Sequence, residues 1–218
     1  MADAALPPIR PSKIICVGRN YVGHASELGN TVPEEPLTFF KPPSSLLPSG
    51  GTVLIPSDVG RVDFEGEIGL IMGRRAHRVS EAAAWSHVSG VVAVNDVTAR
   101  ALQRTDKQWT RAKGLNTFCP VGNVVPAEGV DPVSLQVVTR VNGEERQHGE
   151  ATDMAFSIPY LIAYISHMMT LEPGDLIATG TPEGVGPLAP GDRVEVEVSC
   201  GSSVANPCEA GDPVIFSG

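Results

Sequence analysis

Residues 61–72, RVDFEGEIGLIM, place a carboxylate at every second position and then continue as an apolar run. Because side chains of a β-strand alternate between two faces, Asp63, Glu65 and Glu67 are predicted to share one face, about 7 Å apart. The continuation is apolar on both faces, which is typical of a central strand rather than an edge strand. Buried carboxylates cost free energy unless a positive group neutralises them. The stretch therefore predicts a cation-requiring site where a buried strand begins.

A second predicted strand, in GVVAVNDVTAR (90–100), delivers another carboxylate, Asp96, where its apolar run ends. Two or three carboxylates with water suit Mg²⁺ or Mn²⁺, and no Cys or His ligand lies nearby to favour zinc. The alternative is that the acidic residues of 61–72 form the solvated face of an edge strand.

Composition limits the class of protein. The 218 residues are 42% hydrophobic, as in a globular core, and 23 glycines with 19 prolines indicate many turns between short strands. The βαβα regularity of a doubly wound sheet is missing, so one domain of the α+β class, mainly β with a few short helices, is predicted for 1–218. The formal charge of −9 argues against nucleic acid or an anionic membrane as partner.

Targeting signals are not visible, and a cytoplasmic location is expected. Residues 1–12 lack the apolar region of a secretory signal, and the longest apolar stretch, 155–169, is too short and polar to span a bilayer. The four cysteines have no zinc-site spacing and are expected to be reduced. A Cys200–Cys208 disulfide stays open as an alternative.

Several local patterns predict secondary structure. Asn142-Gly143 predicts a two-residue hairpin turn, and DRVEVEV (192–198) alternates as a half-exposed strand should. A long helix is predicted after Ser157, with an apolar stripe that includes Ile158, Ile165 and Met168. Shorter helices are predicted after Asn20, after Ser80 over 81–88, and over 98–106.

Two further patterns carry possible chemistry. His24 and Glu27 are neighbours on a helix at spacing i, i+3, where the carboxylate would orient the imidazole as a general base. A surface pair without function is the more common meaning of this spacing. In TGTPEGVG (179–186), backbone N–H groups and the hydroxyls of Thr179 and Thr181 could hold a carboxylate, but the Lys-Ser/Thr of a phosphate loop is missing.

Taken together, these segments resemble one family. The segments that carry the resemblance occur in order between about residues 13 and 198: GRNYVGHASELGN, EPLTFFKPPSSLLPSG, VDFEGEIGLIMG, VNDVTARALQ, KQWTRAKG and FSIPYLIAYISHMMTLEPGDLIATGTPEGVGP. The chain resembles the fumarylacetoacetate hydrolase family, and more closely its short acylpyruvate and fumarylpyruvate hydrolase branch. The resemblance implies a mixed β-sheet roll and a homodimer.

The resemblance also implies site residues. The family's E-x-E…D metal site falls on Glu65, Glu67 and Asp96, for Mg²⁺ or Mn²⁺, and leaves Asp63 without a role. The lid dyad falls on His24 and Glu27, and the substrate-side lysine on Lys113. Residues GLNTF (114–118) and the segment 199–218 depart from the family pattern. The implied substrate-binding residues are Gln103 and Thr181, with less support for Arg19, Tyr21 and Lys41.

The activity implied is metal-dependent hydrolysis of a carbon–carbon bond in an acylpyruvate, such as acetylpyruvate or fumarylpyruvate. The metal would bind the 2-oxo acid end, and His24 would activate the attacking water. Lys113 and the metal would stabilise the pyruvate enolate that leaves. Oxaloacetate decarboxylation and keto–enol tautomerisation are the enzymatic alternatives, and a metal-binding module without turnover is the non-enzymatic one.

Overall fold

The computed structural model describes residues 9–23 and 31–215, and their secondary structure is mostly β. Four complete α-helices and four single turns of 3₁₀-helix accompany the strands in this part of the chain, and Val22 and Gly23 are also helical. The helices are α1 Glu81–Ala84, α2 Arg100–Thr105, α3 Thr110–Lys113 and α4 Ile158–Met168, and the 3₁₀ turns are Pro43–Ser45, Trp85–His87, Pro132–Ser134 and Ala151–Asp153. The strands are β1 Ile14–Gly18, β2 Leu37–Lys41, β3 Leu46–Pro48, β4 Val53–Pro56, β5 Val62–Phe64, β6 Gly66–Met72, β7 Val88–Asn95, β8 Thr98–Ala99, β9 Cys119–Val121, β10 Val125–Pro126, β11 Gln136–Val141, β12 Glu144–Glu150, β13 Leu176–Ala178, β14 Gly186–Pro187, β15 Arg193–Val198 and β16 Ser202–Gly211.

These strands form three sheets. The largest has eight strands in the order β2-β1-β13-β6-β7-β9-β3, with β10 also paired to β7. It is mixed, since β1 pairs parallel with β13 and antiparallel with β2. A five-stranded sheet has the order β12-β11-β15-β16-β4, and a three-stranded sheet has the order β14-β5-β8. The predicted mainly-β fold with a mixed sheet is confirmed.

The main core lies between the eight-stranded sheet, the five-stranded sheet and α4. Ile158, Ile162 and Ile165 of α4 are buried in one cluster with Ile68 and Leu70 of β6. The helix begins as predicted, because the Ser157 side chain accepts a hydrogen bond from the Tyr160 backbone N–H at 3.3 Å. Apolar burial on this scale is the main stabilising term of such a domain.

Of the other local predictions, the hairpin is confirmed, and the helices are right in kind but differ in extent. The hairpin β11–β12 turns at Asn142 and Gly143, both with positive φ, as a type I′ turn requires. Met168 is 47% exposed and does not belong to the apolar stripe, because α4 ends there. The helix after Ser80 stops at Ala84, and the helix predicted over 98–106 covers only Arg100–Thr105.

Asn20 and the cysteines also bear on the sequence predictions. The Asn20 side chain bonds to the backbone of Phe156 and Thr179, so it ties the β1 end to the β13 end; the helix predicted after it falls mostly outside the described residues. All four cysteines are free thiols, and the Cys200–Cys208 disulfide is not formed. No helix in the described part of the chain is long and apolar enough to cross a bilayer.

The 61–72 stretch is not one continuous strand. It divides at Glu65 into β5, in the three-stranded sheet, and β6, in the eight-stranded sheet. Asp63, Glu65 and Glu67 are all buried, which excludes the solvated edge-strand interpretation. Glu65 therefore lies at the junction of two sheets, and this junction positions the candidate site.

Asp175, outside the site, makes the stability of the fold depend on pH in the acid range. Asp175 precedes β13 and accepts hydrogen bonds from the backbone N–H groups of Ser12, Lys13 and Glu172, from the Ser12 hydroxyl, and from the Lys13 ammonium. Burial alone would raise the pKa of Asp175, but the bonds from Lys13, Ser12 and Glu172 lower it below its usual value.

Asp175→Asn is expected to lower the free energy of unfolding by about 3 kcal/mol at pH 7, because several charge-assisted hydrogen bonds are lost. The pKa of Asp175 is lower in the folded state, so its contribution is present above the unfolded pKa of about 3.9 and is lost as pH falls through the folded pKa. Urea unfolding at pH 7 and at pH 3 should therefore show the wild-type advantage shrinking in acid. Glu172→Gln, at a neighbour whose side chain is 45% exposed, should show almost no difference at either pH.

Candidate active site

Three carboxylates lie close together where β6 begins and the neighbouring strand β7 ends. Glu67 is in β6, Glu65 directly precedes β6, and Asp96 directly follows β7; the register pairs Gly66 with Asn95. The Asp96 backbone N–H donates to the Glu65 carbonyl at 2.8 Å, and the Glu65 N–H donates to Asn95 Oδ1 at 3.0 Å. One oxygen from each carboxylate lies within 4.8 Å of the others, and all three residues are buried.

Two buried lysines balance this negative charge. Lys113, at the end of α3, donates to Glu65 Oε2 at 2.7 Å and to Asp96 Oδ2 at 2.6 Å. Lys41, at the end of β2, donates to Asp96 Oδ1 at 2.6 Å and to the Val97 carbonyl at 3.1 Å. Burial alone would lower the pKa of Lys113, but Asp96 and Glu65 raise it above its usual value, so the ammonium stays charged.

Glu67 differs from the other two carboxylates. Its Oε2 accepts a hydrogen bond from the Gly180 backbone N–H at 2.8 Å, but within the described residues it forms no ion pair. Burial raises the pKa of Glu67 well above its usual value, and the neighbouring Asp96 and Glu65 carboxylates raise it further. A cation bound between the three would remove this repulsion. The oxygen ligands, their separation and the unbalanced Glu67 fit a hard divalent cation such as Mg²⁺ or Mn²⁺.

Asp63 holds an arginine rather than completing this cluster. Its Oδ2 accepts from Arg100 Nε at 2.8 Å, and its Oδ1 accepts from Arg61 Nε at 2.6 Å. Arg100 also lies 2.6 Å from Glu65 Oε1 through Nη2 and donates to Gln103 Oε1 at 2.7 Å through Nη1. Asp63 thus orients the Arg100 guanidinium, which contacts both Glu65 and Gln103.

A loop between β13 and β14 closes the site from the other side. Thr181 Oγ1 donates to the Gly66 carbonyl at 2.9 Å and accepts from Gln147 Nε2 at 2.7 Å. Gln147 Oε1 accepts from the Gly66 backbone N–H at 3.0 Å. The buried Gln147, from β12, therefore fixes the peptide between the two glutamates. Sequence reasoning missed Gln147 and Arg100, because their partners lie far away along the chain.

A cavity of about 470 Å³ opens onto the three carboxylates. Phe39 and Trp109, an edge-to-face aromatic pair with ring centroids 5.2 Å apart, form an apolar part of its wall. Of the predicted substrate-binding residues, Arg19, Gln103 and Thr181 line it. The full lining is Val17, Gly18, Arg19, Phe39, Arg61, Asp63, Glu65, Glu67, Asp96, Arg100, Gln103, Arg104, Trp109, Lys113 and Thr181.

Two other predicted substrate-binding residues do not line the cavity. Lys41 is buried behind Asp96, and Tyr21 is buried in the main core. Burial raises the pKa of the Tyr21 phenol above its usual value, with Glu67 the next contributor, so the hydroxyl stays protonated. His24 and Glu27 lie outside the described residues, and their role stays a prediction. Gly23, the last described residue before them, lies against the carboxylate of Glu183.

Comparison with known proteins identifies the family. Residues 13–207 match the fumarylacetoacetate (FAA) hydrolase C-terminal family. The chain belongs to the fumarylacetoacetate hydrolase family. The match reaches into β16, so the segment after 198, which the sequence patterns left unassigned, includes a strand of the family domain.

Curated relatives share nearly half of the sequence. A mitochondrial oxaloacetate tautomerase of Arabidopsis thaliana is 47% identical over 193 residues, which are 86% of this chain and 86% of that protein. The corresponding bovine protein, also an oxaloacetate tautomerase, is 45% identical over 85% of this chain and 86% of its own length. An uncharacterized protein of Pyrococcus horikoshii is 48% identical over 86% of this chain and 84% of its own length.

Solved structures share the fold. A 5-carboxymethyl-2-hydroxymuconate delta-isomerase from Mycobacterium smegmatis superposes with a TM-score of 0.88 and 40% identity, over 95% of this chain and 82% of that one. A fumarylpyruvate hydrolase from Pseudomonas aeruginosa, in complex with Mn²⁺ and pyruvate, superposes with a TM-score of 0.87 and 28% identity, over 93% and 91% of the two chains. Enzymes named in this family therefore include hydrolases, isomerases and tautomerases.

Proposed function

We propose that this chain is a metal-dependent enzyme that converts 2-oxo acids through an enolate, and that keto–enol tautomerisation of a compound such as oxaloacetate is its reaction. The observation that carries the proposal is the group of three buried carboxylates at the cavity floor with the Lys113 ammonium beside them. Mg²⁺ or Mn²⁺ held by Glu65, Glu67 and Asp96 would supply Lewis acidity toward the oxo and carboxylate oxygens of the substrate.

The residues around that centre suit an enolate. Lys113 stays charged and lines the cavity, so its ammonium can stabilise negative charge as it develops on the enol oxygen. Lys41 lies 2.6 Å from Asp96 and Arg100 lies 2.6 Å from Glu65, so the two cations orient these carboxylates. Phe39 and Trp109 form an apolar wall that excludes water and strengthens these interactions. The 47% identical oxaloacetate tautomerase favours tautomerisation as the reaction.

Hydrolysis of the carbon–carbon bond in an acylpyruvate is the second candidate. The likeness to a fumarylpyruvate hydrolase with bound Mn²⁺ and pyruvate favours it. This reaction needs an activated water in addition to enolate stabilisation, and we assign that step to His24 oriented by Glu27. Both candidate reactions therefore use the three carboxylates and Lys113, and only hydrolysis also needs His24 and Glu27.

Purified protein with Mg²⁺ should be assayed against oxaloacetate, acetylpyruvate and fumarylpyruvate, with enol absorbance and pyruvate release followed separately. We expect decay of enol oxaloacetate to be the fastest reaction. If hydrolysis also occurs, His24→Ala should lower its kcat by about 10²–10⁴ and leave Mg²⁺ affinity nearly unchanged. Pyruvate release from an acylpyruvate that is faster than enol decay would reverse the order of the two candidates. Full activity in excess chelator would contradict both.

A further inference from the structure

The residues that line the cavity carry more positive charge than the three carboxylates at its floor, Glu65, Glu67 and Asp96, can balance. Among the described residues that line it, five are cationic and four are carboxylates, and a divalent cation on the floor would add two further positive charges. A 2-oxo acid with a single carboxylate would leave most of this excess unbalanced in a partly enclosed space. The excess favours a substrate with a second anionic group.

Arg104 is the cation placed to meet that group. It follows Arg100 by four residues on α2, so both side chains lie on one face of the helix, about 6 Å apart along its axis. Arg100 is buried beside Glu65 at the floor, whereas Arg104 is exposed and lines the outer part of the same cavity. The helix therefore presents one guanidinium to the floor and another to the mouth.

The partners of the other wall cations distinguish Arg104 further. Arg61 is held by both oxygens of Asp63, and Arg100 is shared between Asp63, Glu65 and Gln103. Arg19 and Arg104 form no hydrogen bond or ion pair in the part of the chain that the structure describes, and of these two Arg19 is half-buried whereas Arg104 is exposed. An exposed guanidinium that no described residue occupies can bind a carboxylate through two parallel hydrogen bonds.

We propose that Arg104 binds a second carboxylate of the substrate, so that the site prefers 2-oxo dicarboxylic acids to 2-oxo monocarboxylic acids of the same length. The inference rests on the proposed function, because it takes the 2-oxo acid end to lie at the three floor carboxylates. Phe39 and Trp109 then flank the carbon chain between the two ends.

Two unreactive six-carbon ligands test this preference apart from turnover. The dissociation constants of 2-oxoadipate and 2-oxohexanoate should be measured by calorimetry with saturating Mg²⁺ at low and high salt. The wild-type protein should bind 2-oxoadipate about 10–100-fold more tightly, as expected for a bidentate charged contact, and less so at high salt. Arg104→Gln should reduce the ratio of the two constants to about 3 or below.

Lys107→Gln is the matched control, because it removes one positive charge from an exposed residue nearby that does not line the cavity. It should retain the wild-type ratio. Equal binding of the two acids by the wild-type protein would overturn the inference while leaving the proposed function intact, and an unchanged ratio in Arg104→Gln would overturn the assignment to Arg104. If neither acid binds in the presence of Mg²⁺, the proposed function is wrong and the inference falls with it.

Discussion

Glu67→Gln is expected to weaken Mn²⁺ binding strongly and to abolish catalysis, while leaving the metal-free protein at least as stable as the wild type. Glu67 is a buried carboxylate beside two others, and within the described residues no cation pairs with it. Glutamine keeps the shape and the oxygen that can accept from the Gly180 N–H, but it removes the desolvated charge and its repulsion with Asp96 and Glu65.

The expected loss of metal affinity is at least about 100-fold. Loss of a residue that only orients a ligand typically costs 10–100-fold, and loss of a direct ligand should cost more. Mn²⁺ affinity can be measured from the electron paramagnetic resonance signal of the free ion, and the free energy of unfolding by urea titration in chelator. Wild-type Mn²⁺ affinity in Glu67→Gln would remove Glu67 from the candidate metal site.

Asp96→Asn provides the contrast that separates a metal ligand from a structural ion pair. Asp96 accepts from Lys41 and Lys113, and all three side chains are buried. Removal of the carboxylate leaves Lys41 without an anionic partner among the described contacts, and breaking such a buried pair costs about 3–5 kcal/mol. Both variants should lose Mn²⁺ affinity, but only Asp96→Asn should be strongly destabilised without metal. Equal stability of the two would contradict the asymmetry between these carboxylates.

The acidic residues of the site could be recognised in the sequence because each lies next to a strand signal. Glu67 begins the apolar run of β6, and Asp96 ends that of β7, so antiparallel pairing of the two strands is enough to bring them together. The hairpin at Asn142 and the start of α4 at Ser157 were predictable for the same reason. Their signals lie within a few residues of the structure they specify.

The parts that could not be predicted depend on contacts between distant residues. Asp63 has the same local pattern as Glu65 and Glu67, yet its role is decided by Arg100, 37 residues away. Gln147 bonds to Gly66 across 81 residues, and nothing in a hairpin strand marks one polar residue as buried. The division of 61–72 at Glu65 likewise follows from pairing β5 with β8 and β14 rather than with the strands beside β6.

Gly66→Ala is expected to destabilise the protein by about 1–3 kcal/mol and to weaken Mn²⁺ binding, although the backbone there is not in a glycine-only conformation. A Cβ at Gly66 would lie 1.9 Å from Thr139 Oγ1, inside any permitted contact. Relief of the clash must move the peptide that joins Glu65 to Glu67, whose N–H and carbonyl are bonded to Gln147 and Thr181. The carboxylates on either side would shift with it.

Thr139→Ala gives this prediction a suppressor test. The Thr139 hydroxyl is buried and has no hydrogen-bond partner in the described part of the chain, so its removal alone should cost little. In the double variant, the nearest remaining atoms to the new methyl group are Thr139 Cβ and Val196 Cγ1, both at 3.2 Å, which small shifts can accommodate. Mn²⁺ titration and urea unfolding of the two single variants and the double variant should show both losses largely reversed when Thr139→Ala is added to Gly66→Ala. Additive losses in the double variant would mean that the alanine acts through something other than the Thr139 hydroxyl.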